Sequence, residues 1–281
     1  MALYIVATPI GNLNDFSKRG IDTLKECDLI LAEDTRQTIK LLNHFDIKNK
    51  MVAYHKFNEN KASDGIVDKL KNGMNIALVS DAGTPCISDP GYILVKKARE
   101  NGIEVLGIPG CSAVIDALSV SGLDTSSFVF YGFVPTENKE KKELFDEIKH
   151  SKVKIKVLYE SPKRILKLME YINNEMPGCK VCVCTELTKV HEKAYYGIVN
   201  DVYEKMSQDP SVLKGEYVVM IENEPVLDKD DVSIEAKLLN IMIDSKVSLK
   251  EAINLLNEND KKLSKKDIYN ASLNLKNYLN K

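Results

Sequence analysis

Residues 80–91 read Ser80-Asp81-Ala82-Gly83-Thr84-Pro85-Cys86-Ile87-Ser88-Asp89-Pro90-Gly91, between the apolar run "NIALV" and the helix-like "YILVKKARENG". A strand-to-helix connection needs only about two to six residues. This one is roughly twice as long and holds two glycines and two prolines, residues of unusual or fixed backbone geometry. Three further loops follow apolar runs in the same way: Thr8-Pro9-Ile10-Gly11-Asn12-Leu13, Glu33-Asp34-Thr35-Arg36, and Pro109-Gly110-Cys111-Ser112-Ala113. Sharp turns at strand ends expose backbone N–H and C=O groups, which can hold a nucleoside or an amino-acid moiety without charged side chains. Any α/β protein has Gly and Pro in its loops. Several such loops on one sheet edge make a ligand cleft by the rule that open α/β sheets bind at strand carboxyl ends.

The exclusions are as informative. No G-x-x-x-x-G-K-[ST] occurs, which argues against a P-loop triphosphate site, and no G-x-G-x-x-G follows the first strand, which argues against a dinucleotide cofactor. Cys179-x-x-Cys182-x-Cys184, with His191 as the nearest fourth ligand, invites a metal reading. "KVCVCTEL" alternates as a strand does, placing Cys182 and Cys184 on one face as small buried hydrophobes, and structural zinc sites favour paired CxxC units. No metal site is expected.

The elements that would carry these loops follow from periodicity. Runs 2–7, 28–32, 75–79, 103–108 and 128–133 are apolar, and amphipathic stretches Thr35–Phe45, Ala62–Lys71 and Ile93–Asn101 lie between them. That alternation predicts a parallel or mostly parallel sheet covered by helices on both faces. After the polar helix Glu137–His150 the pattern resumes: strands at 154–160, 180–186, 192–199 and 215–222, and a helix at 162–176. The expected fold is therefore two α/β domains, 1–120 and 125–224, with a cleft between them. Residues 222–231, acidic and holding Pro225, read as a linker to a small helical tail at 232–281. In that tail Leu249, Ala252, Ile253 and Leu256 keep helical spacing behind a Ser248/Glu251 capping box, and Ser264 with Asp267 repeats the start signal before Ile268, Ala271, Leu275 and Leu279. A helix-turn-helix-like unit and a packing appendage or dimer contact are equally open readings of it.

The chain has 281 residues with 44% hydrophobic and 28% charged content and a net charge of −2. This is the composition of a globular protein without a global pull toward nucleic acid, so an RNA partner needs a local basic patch. The sequence starts on a strand-like run with no basic leader, and no apolar stretch approaches the ~20 residues that span a bilayer. Six cysteines without a secretion signal fit reduced thiols in a cytoplasmic protein.

The segments "LYIVATPIGNL", "AEDTR", "LVSDAGTPCISDPGY", "IPGCSA", "YESPKR", "ELTKVHE" and "KGEYVVMIE", in this order, resemble the tetrapyrrole-methylase superfamily of S-adenosylmethionine-dependent methyltransferases, and within it the branch that methylates small-subunit ribosomal RNA. The likeness covers nearly the whole chain. One departure is Cys111, where the family's fourth loop usually has a second Pro. The resemblance implies S-adenosylmethionine in the interdomain cleft, its methionine end against Asp81, Ala82, Gly83 and Ile87. Ser112 and Ala113 would hold the nucleoside, Tyr159, Leu187, Gly215 and Glu216 would close over it from the second domain, and Pro9 would border the first loop. It further implies a homodimer and, as substrate, the ribose 2′-OH of a cytidine in the decoding region of the 30S particle.

A hydroxyl is a weak nucleophile, so a positioned acceptor should help. Glu33, Asp34, Asp81 and Glu186 sit in suitable loops, with Lys189 and His55 as further options. Asp81 and Glu33 are the expected catalytic residues, although Glu33–Arg36 also reads as an ion pair with Asp34 capping a helix. Asp89 and Pro90 read as the N-cap and first residue of the next helix. For RNA phosphates the basic run Lys152, Lys154, Lys156, Lys163, Arg164 and Lys167 offers a stripe along an alternating strand, with Lys261, Lys262, Lys265 and Lys266 in the tail. No ring of aromatics is set for base stacking. A tetrapyrrole-type small-molecule methyltransferase and a non-catalytic ribosome-assembly factor are the competing readings.

Overall fold

The structure is a computed structural model that describes residues 1–224, 233–260 and 263–279. The chain divides into two compact units. One holds both sheets, and the other consists mainly of the C-terminal helices.

The first sheet is formed by β1 (Ala2–Val6), β2 (Leu29–Ala32), β3 (Met51–Ala53), β4 (Ile76–Val79) and β5 (Glu104–Ile108), in the order β3-β2-β4-β1-β5. Every pairing in it is parallel. Successive residues of a strand point to opposite faces, and both faces are covered. Leu29 and Leu31 pack with Leu3, Leu70, Leu94 and Ile103. Ile30 and Ala32 pack on the other face with Phe16, Leu24 and Leu42. The covering helices are α1 (Lys18–Glu26), α2 (Thr35–His44), α3 (Glu59–Lys71) and α4 (Tyr92–Glu100). Because all five strands run the same way, the loops after β1, β2, β3, β4 and β5 emerge along one rim.

The helix α5 (Ala113–Val120) leads to the second sheet, which contains β6 (Phe128–Phe133), β7 (Ile155–Glu160), β8 (Lys180–Thr185), β9 (Lys193–Ile198) and β10 (Tyr217–Glu222), in the order β6-β7-β10-β8-β9. Only β6 and β7 are parallel; β10 runs antiparallel between β7 and β8. One face packs on α6 (Asn138–His150), α7 (Ile165–Glu175) and α8 (Val199–Ser207) through Phe145, Leu168, Met169 and Val202. The other carries Val157, Cys182, Cys184, Val218 and Met220 against α5 and Leu187.

Two expectations are resolved by this packing. Cys182 and Cys184 do share a face, their sulfurs 3.9 Å apart, while Cys179 lies in the core of the opposite face. The expected lysine stripe fails. Both faces of β7 are covered, so Lys156 is 0% exposed and donates to the carbonyls of Lys154 and Asn223. Lys154 is exposed but paired with Glu224 at 2.5 Å, and Arg164 is turned inward onto Glu160.

In the helical unit α9 (Ile234–Ser245), α10 (Leu249–Asn259) and α11 (Lys265–Leu279) enclose Leu238, Ala252, Leu256, Ile268, Ala271 and Leu275. Ser233 caps α9, Ser248 and Glu251 form the expected capping box, and Ser264 accepts from the Asp267 amide. Lys265 and Lys266 are exposed. The linker from Pro225 onward, Lys261 and Lys262, and the side chain of Leu279 lie outside the described residues. Among the described residues no helix is long and apolar enough to cross a membrane.

Candidate active site

Three rim loops are laced together by hydrogen bonds. The Thr8 amide donates to the Gly83 carbonyl at 2.9 Å, and the Gly83 amide returns the bond at 3.0 Å. The Thr84 hydroxyl donates to the Cys111 carbonyl at 3.0 Å, tying the β4 loop to the β5 loop. Gly83 has φ +80, a conformation that side-chain-bearing residues rarely adopt. The β2 loop joins through the Asp34 amide, which donates to Asp81 at 3.1 Å.

Against this rim stands the end of the second sheet. Tyr159 packs edge-on to Phe130 and tilted on Phe133, ring centroids 4.9 and 5.2 Å away. The chain then crosses β8 to a tight loop in which Glu186 and Thr188 both have positive φ, 53 and 66. Thr188 accepts from the Asn12 amide at 3.1 Å, linking this loop to the first rim loop. Lys189 pairs with Glu186 at 2.8 Å. Gly215 lies against the same carboxylate: a Cβ there would sit 2.8 Å from Glu186 Cδ.

Between the two walls is a cavity of about 250 Å³. From the first wall it is lined by Glu33, Asp81, Ala82, Gly83, Ile87, Ser112 and Ala113, and from the second by Tyr159, Leu187 and Glu216. The sequence motifs point to all of these. Pro9 is buried one residue before Ile10, which does reach the cavity, and Gly215 directly precedes Glu216, so these two border it without lining it. Glu186 and Lys189 line it; His55 and Asp34 do not.

Asp34 instead caps α2. It accepts from the Arg36 amide at 2.8 Å and binds the Arg36 guanidinium at 3.0 and 2.7 Å. These bonds hold its carboxyl down at about 2. The Glu-Asp pair is thus divided, Asp34 shaping the helix and Glu33 facing the cavity.

Asp89, Phe133, Glu160 and Tyr217 also line the cavity, although the sequence reading gave none of them a place there. Asp89 does not cap α4: the helix starts at Tyr92 and its N-cap is Gly91, whose amide donates to Glu59 at 3.2 Å. The loop runs two residues longer than the Asp-Pro start signal suggests, which frees Asp89 for the interior. Glu160 accepts two bonds from Arg164, at 2.7 and 2.8 Å, and one from the Ser161 amide at 2.6 Å. Motif spacing could have found it, since "YESPKR" sets a carboxylate and a guanidinium four residues apart across the turn into α7.

The charged lining is mainly acidic, and its lysine, Lys189, is paired with Glu186. Burial raises the proton affinity of Glu33, Asp81 and Asp89, and each is raised further by neighbouring carboxylates, Glu33 by Asp89 and Asp89 by Asp81 and Glu216. Burial also pushes the Tyr159 phenol up to about 12, so it stays neutral. Carboxylates that crowd together in a half-buried site favour a cationic occupant. A second cavity of about 420 Å³ shares Leu187 and is lined by Gly110, Cys111 and Asp116. There the Cys111 thiol donates to the Asp15 carbonyl, sulfur to oxygen 3.6 Å.

Residues 2–202 match the family model of tetrapyrrole (corrin/porphyrin) methylases, and the chain belongs to that family. Its curated relatives include ribosomal RNA small subunit methyltransferase I of Halalkalibacterium halodurans, 42% identical over 95% of this chain and 93% of that one. The protein of the same name from Haemophilus influenzae is 40% identical over 91% of each. Among solved structures, diphthine synthase superposes with a TM-score of 0.61 at 13% identity, over 79% of this chain and 90% of that one, a likeness of fold.

Proposed function

We propose that this protein is an S-adenosylmethionine-dependent methyltransferase of small-subunit ribosomal RNA, and that it methylates the ribose 2′-OH of a cytidine in the decoding region of the 30S particle. The observation that carries the reading is the convergence of seven family motifs on one carboxylate-lined cavity, in a chain whose relatives of that name match it over nearly their whole length.

The residues present fit the cofactor. Its ammonium and sulfonium groups are cations, and Glu33, Asp81, Asp89 and Glu216 supply the opposite charge; the Gly83 turn leaves backbone open beside them. In this reading Asp81, Ala82, Gly83 and Ile87 hold the methionine end, and Ser112 and Ala113 hold the nucleoside. Tyr159, Leu187, Gly215 and Glu216 close the second wall, and Pro9 supports the first. When bound, S-adenosylmethionine supplies a methyl group on a positively charged sulfur.

The chain itself must orient the ribose hydroxyl, exclude water and take the proton. Glu33 and Asp81 are assigned that last role. Burial and crowding raise their basicity toward the working pH, which improves a carboxylate as a proton acceptor. The work is shared by two lobes, 1–120 and 125–224, with a helical extension at 232–281, in a cytoplasmic homodimer.

Mass mapping of methyl groups on small-subunit RNA from a strain lacking the gene tests the function. One cytidine in the decoding region should lose its ribose methyl, and purified protein should restore it on 30S particles. Full methylation without the gene would favour an assembly factor. Transfer to porphyrinoids but not to particles would favour a tetrapyrrole enzyme.

A further inference from the structure

The rim of the first sheet has one more station that the cavity does not use. Strands β2 and β3 are parallel and in register, Ala32 opposite Ala53, and the Tyr54 amide donates to the Ala32 carbonyl at 2.8 Å. The loop His55-Lys56-Phe57-Asn58 after β3 therefore emerges beside the loop Glu33-Asp34-Thr35-Arg36 after β2, whose Glu33 lines the cavity.

That loop is braced. The Asn58 carboxamide donates to the Ala53 carbonyl at 3.0 Å and accepts from the His55 amide at 2.8 Å. Directly after it, Glu59 reaches the Gly91 amide of the β4 loop. On this fixed support Phe57 is 95% exposed, its ring edge-on to His55 with centroids 6.1 Å apart. A large apolar ring held almost fully in water by a rigid turn contributes nothing to the core.

The charge around it is the reverse of the cavity's. On the rim itself Lys56 adjoins Phe57, Arg36 opens α2 in the neighbouring loop and Lys40 follows one turn along that helix, while the acids there are engaged, Asp34 by Arg36 and Glu59 by the Gly91 amide; Lys48 and Lys50 precede β3 at the opposite end of the sheet. Arg36, Lys40 and Lys56 are all exposed, and the Arg36 side chain is 87% open even while paired with Asp34.

Resting on the function proposed above, we propose that this face is where the RNA strand lands. Phe57 stacks on an unpaired base flanking the target nucleotide, and Arg36, Lys40 and Lys56 neutralise its phosphates. An exposed ring among cations suits an unpaired nucleotide because every base offers a π-face and every linkage a negative charge. The placement divides the binding by charge, since the acidic cavity takes a cation and the basic shoulder beside it takes a polyanion.

The test uses the full-length protein, 30S particles lacking the methyl group, and S-adenosylmethionine. Because Phe57 is solvent-exposed, Phe57→Ala should fold normally and bind the cofactor within twofold of wild type. Its KM for particles should rise at least about fivefold, the low end of what one lost base stack costs. Phe57→Trp should restore it. The double variant Lys40→Ala/Lys56→Ala should flatten the dependence of particle KM on salt. The proposal is overturned if Phe57→Ala leaves the particle KM within twofold, if Trp does not recover what Ala loses, or if the salt dependence of the lysine variant matches wild type. Failure of the wild-type protein to methylate particles at all would instead overturn the functional reading on which this one stands.

Discussion

At the scale of single residues, the proposed site predicts that Asp81 serves cofactor binding more than Glu33 does. Asp81 lies closest to the backbone lacing, accepting from the Asp34 amide, whereas Glu33 accepts only a long 3.5 Å bond from the Asp81 amide. Asp81→Asn removes a charge from the cation site and should weaken S-adenosylmethionine binding by roughly tenfold, measured by calorimetry. Glu33→Gln should keep binding within about threefold and lower single-turnover methyl transfer by about 10²-fold or more, the usual contribution of a general base. Equal losses of both in each variant would remove the division of labour. The raised proton affinities of Glu33, Asp81 and Asp89 also fix a pH effect. These groups bind protons more tightly folded than unfolded, so their contribution to stability is greatest at low pH and is lost as pH rises through their folded pKa values. Cofactor binding runs the other way, since a protonated carboxyl no longer attracts a cation. Calorimetry on a descending pH series should show affinity falling at a pH above the ~4 of ordinary carboxyls, before any loss of fold.

At the scale of elements, the turn from β7 into α7 depends on one ion pair. Glu160 has a side chain only 2% exposed, and Arg164 both neutralises it and donates to the Val134 carbonyl just beyond β6. Arg164→Met leaves that carboxylate buried and alone, which should cost about 3 kcal/mol in urea denaturation; Glu160→Leu/Arg164→Met should recover much of it. The sequence carried this turn and most strands plainly, because apolar runs bounded by Gly and Pro are local signals. It did not carry β3, three residues long and without alternation, nor α1 and α8. The antiparallel insertion of β10 between β7 and β8 was also hidden, since strand order is set by pairing between distant segments. The lysine stripe failed for the same reason: alternation predicts an exposed face only where one face of the strand meets water, and β7 is covered on both. In the site, Gly83 stood out as a glycine in an unusually long loop, whereas Gly215 entered only through the family resemblance. Asp89 and Phe133 were not legible: Asp89 reaches the cavity because its loop runs on to Gly91, and Phe133, the exposed last residue of β6, because that strand end pairs beside Tyr159.

At the scale of the whole molecule, the two units have separate cores. Leu256 is buried among Leu238, Ala252, Ile268 and Leu275 in the helical unit. Leu256→Ala should destabilise that unit by about 2–5 kcal/mol, seen as an earlier loss of helical circular dichroism. S-adenosylmethionine affinity should stay within twofold, because the lining of the cavity comes entirely from the two-sheet unit. Coupled loss of both signals would show that the units are not energetically independent.

The two sulfurs on β8 give the protein an internal clock. Cys182 and Cys184 are sealed at 0% exposure in the middle of the second sheet, whereas Cys86 and Cys111 stand half-open on the rim. An alkylating reagent should therefore reach the rim thiols in the native state and the β8 pair only when the sheet itself comes apart. Counting modified thiols over time in a mass spectrometer would then time the rare global openings of the protein, and a ligand seated between the walls should slow that count.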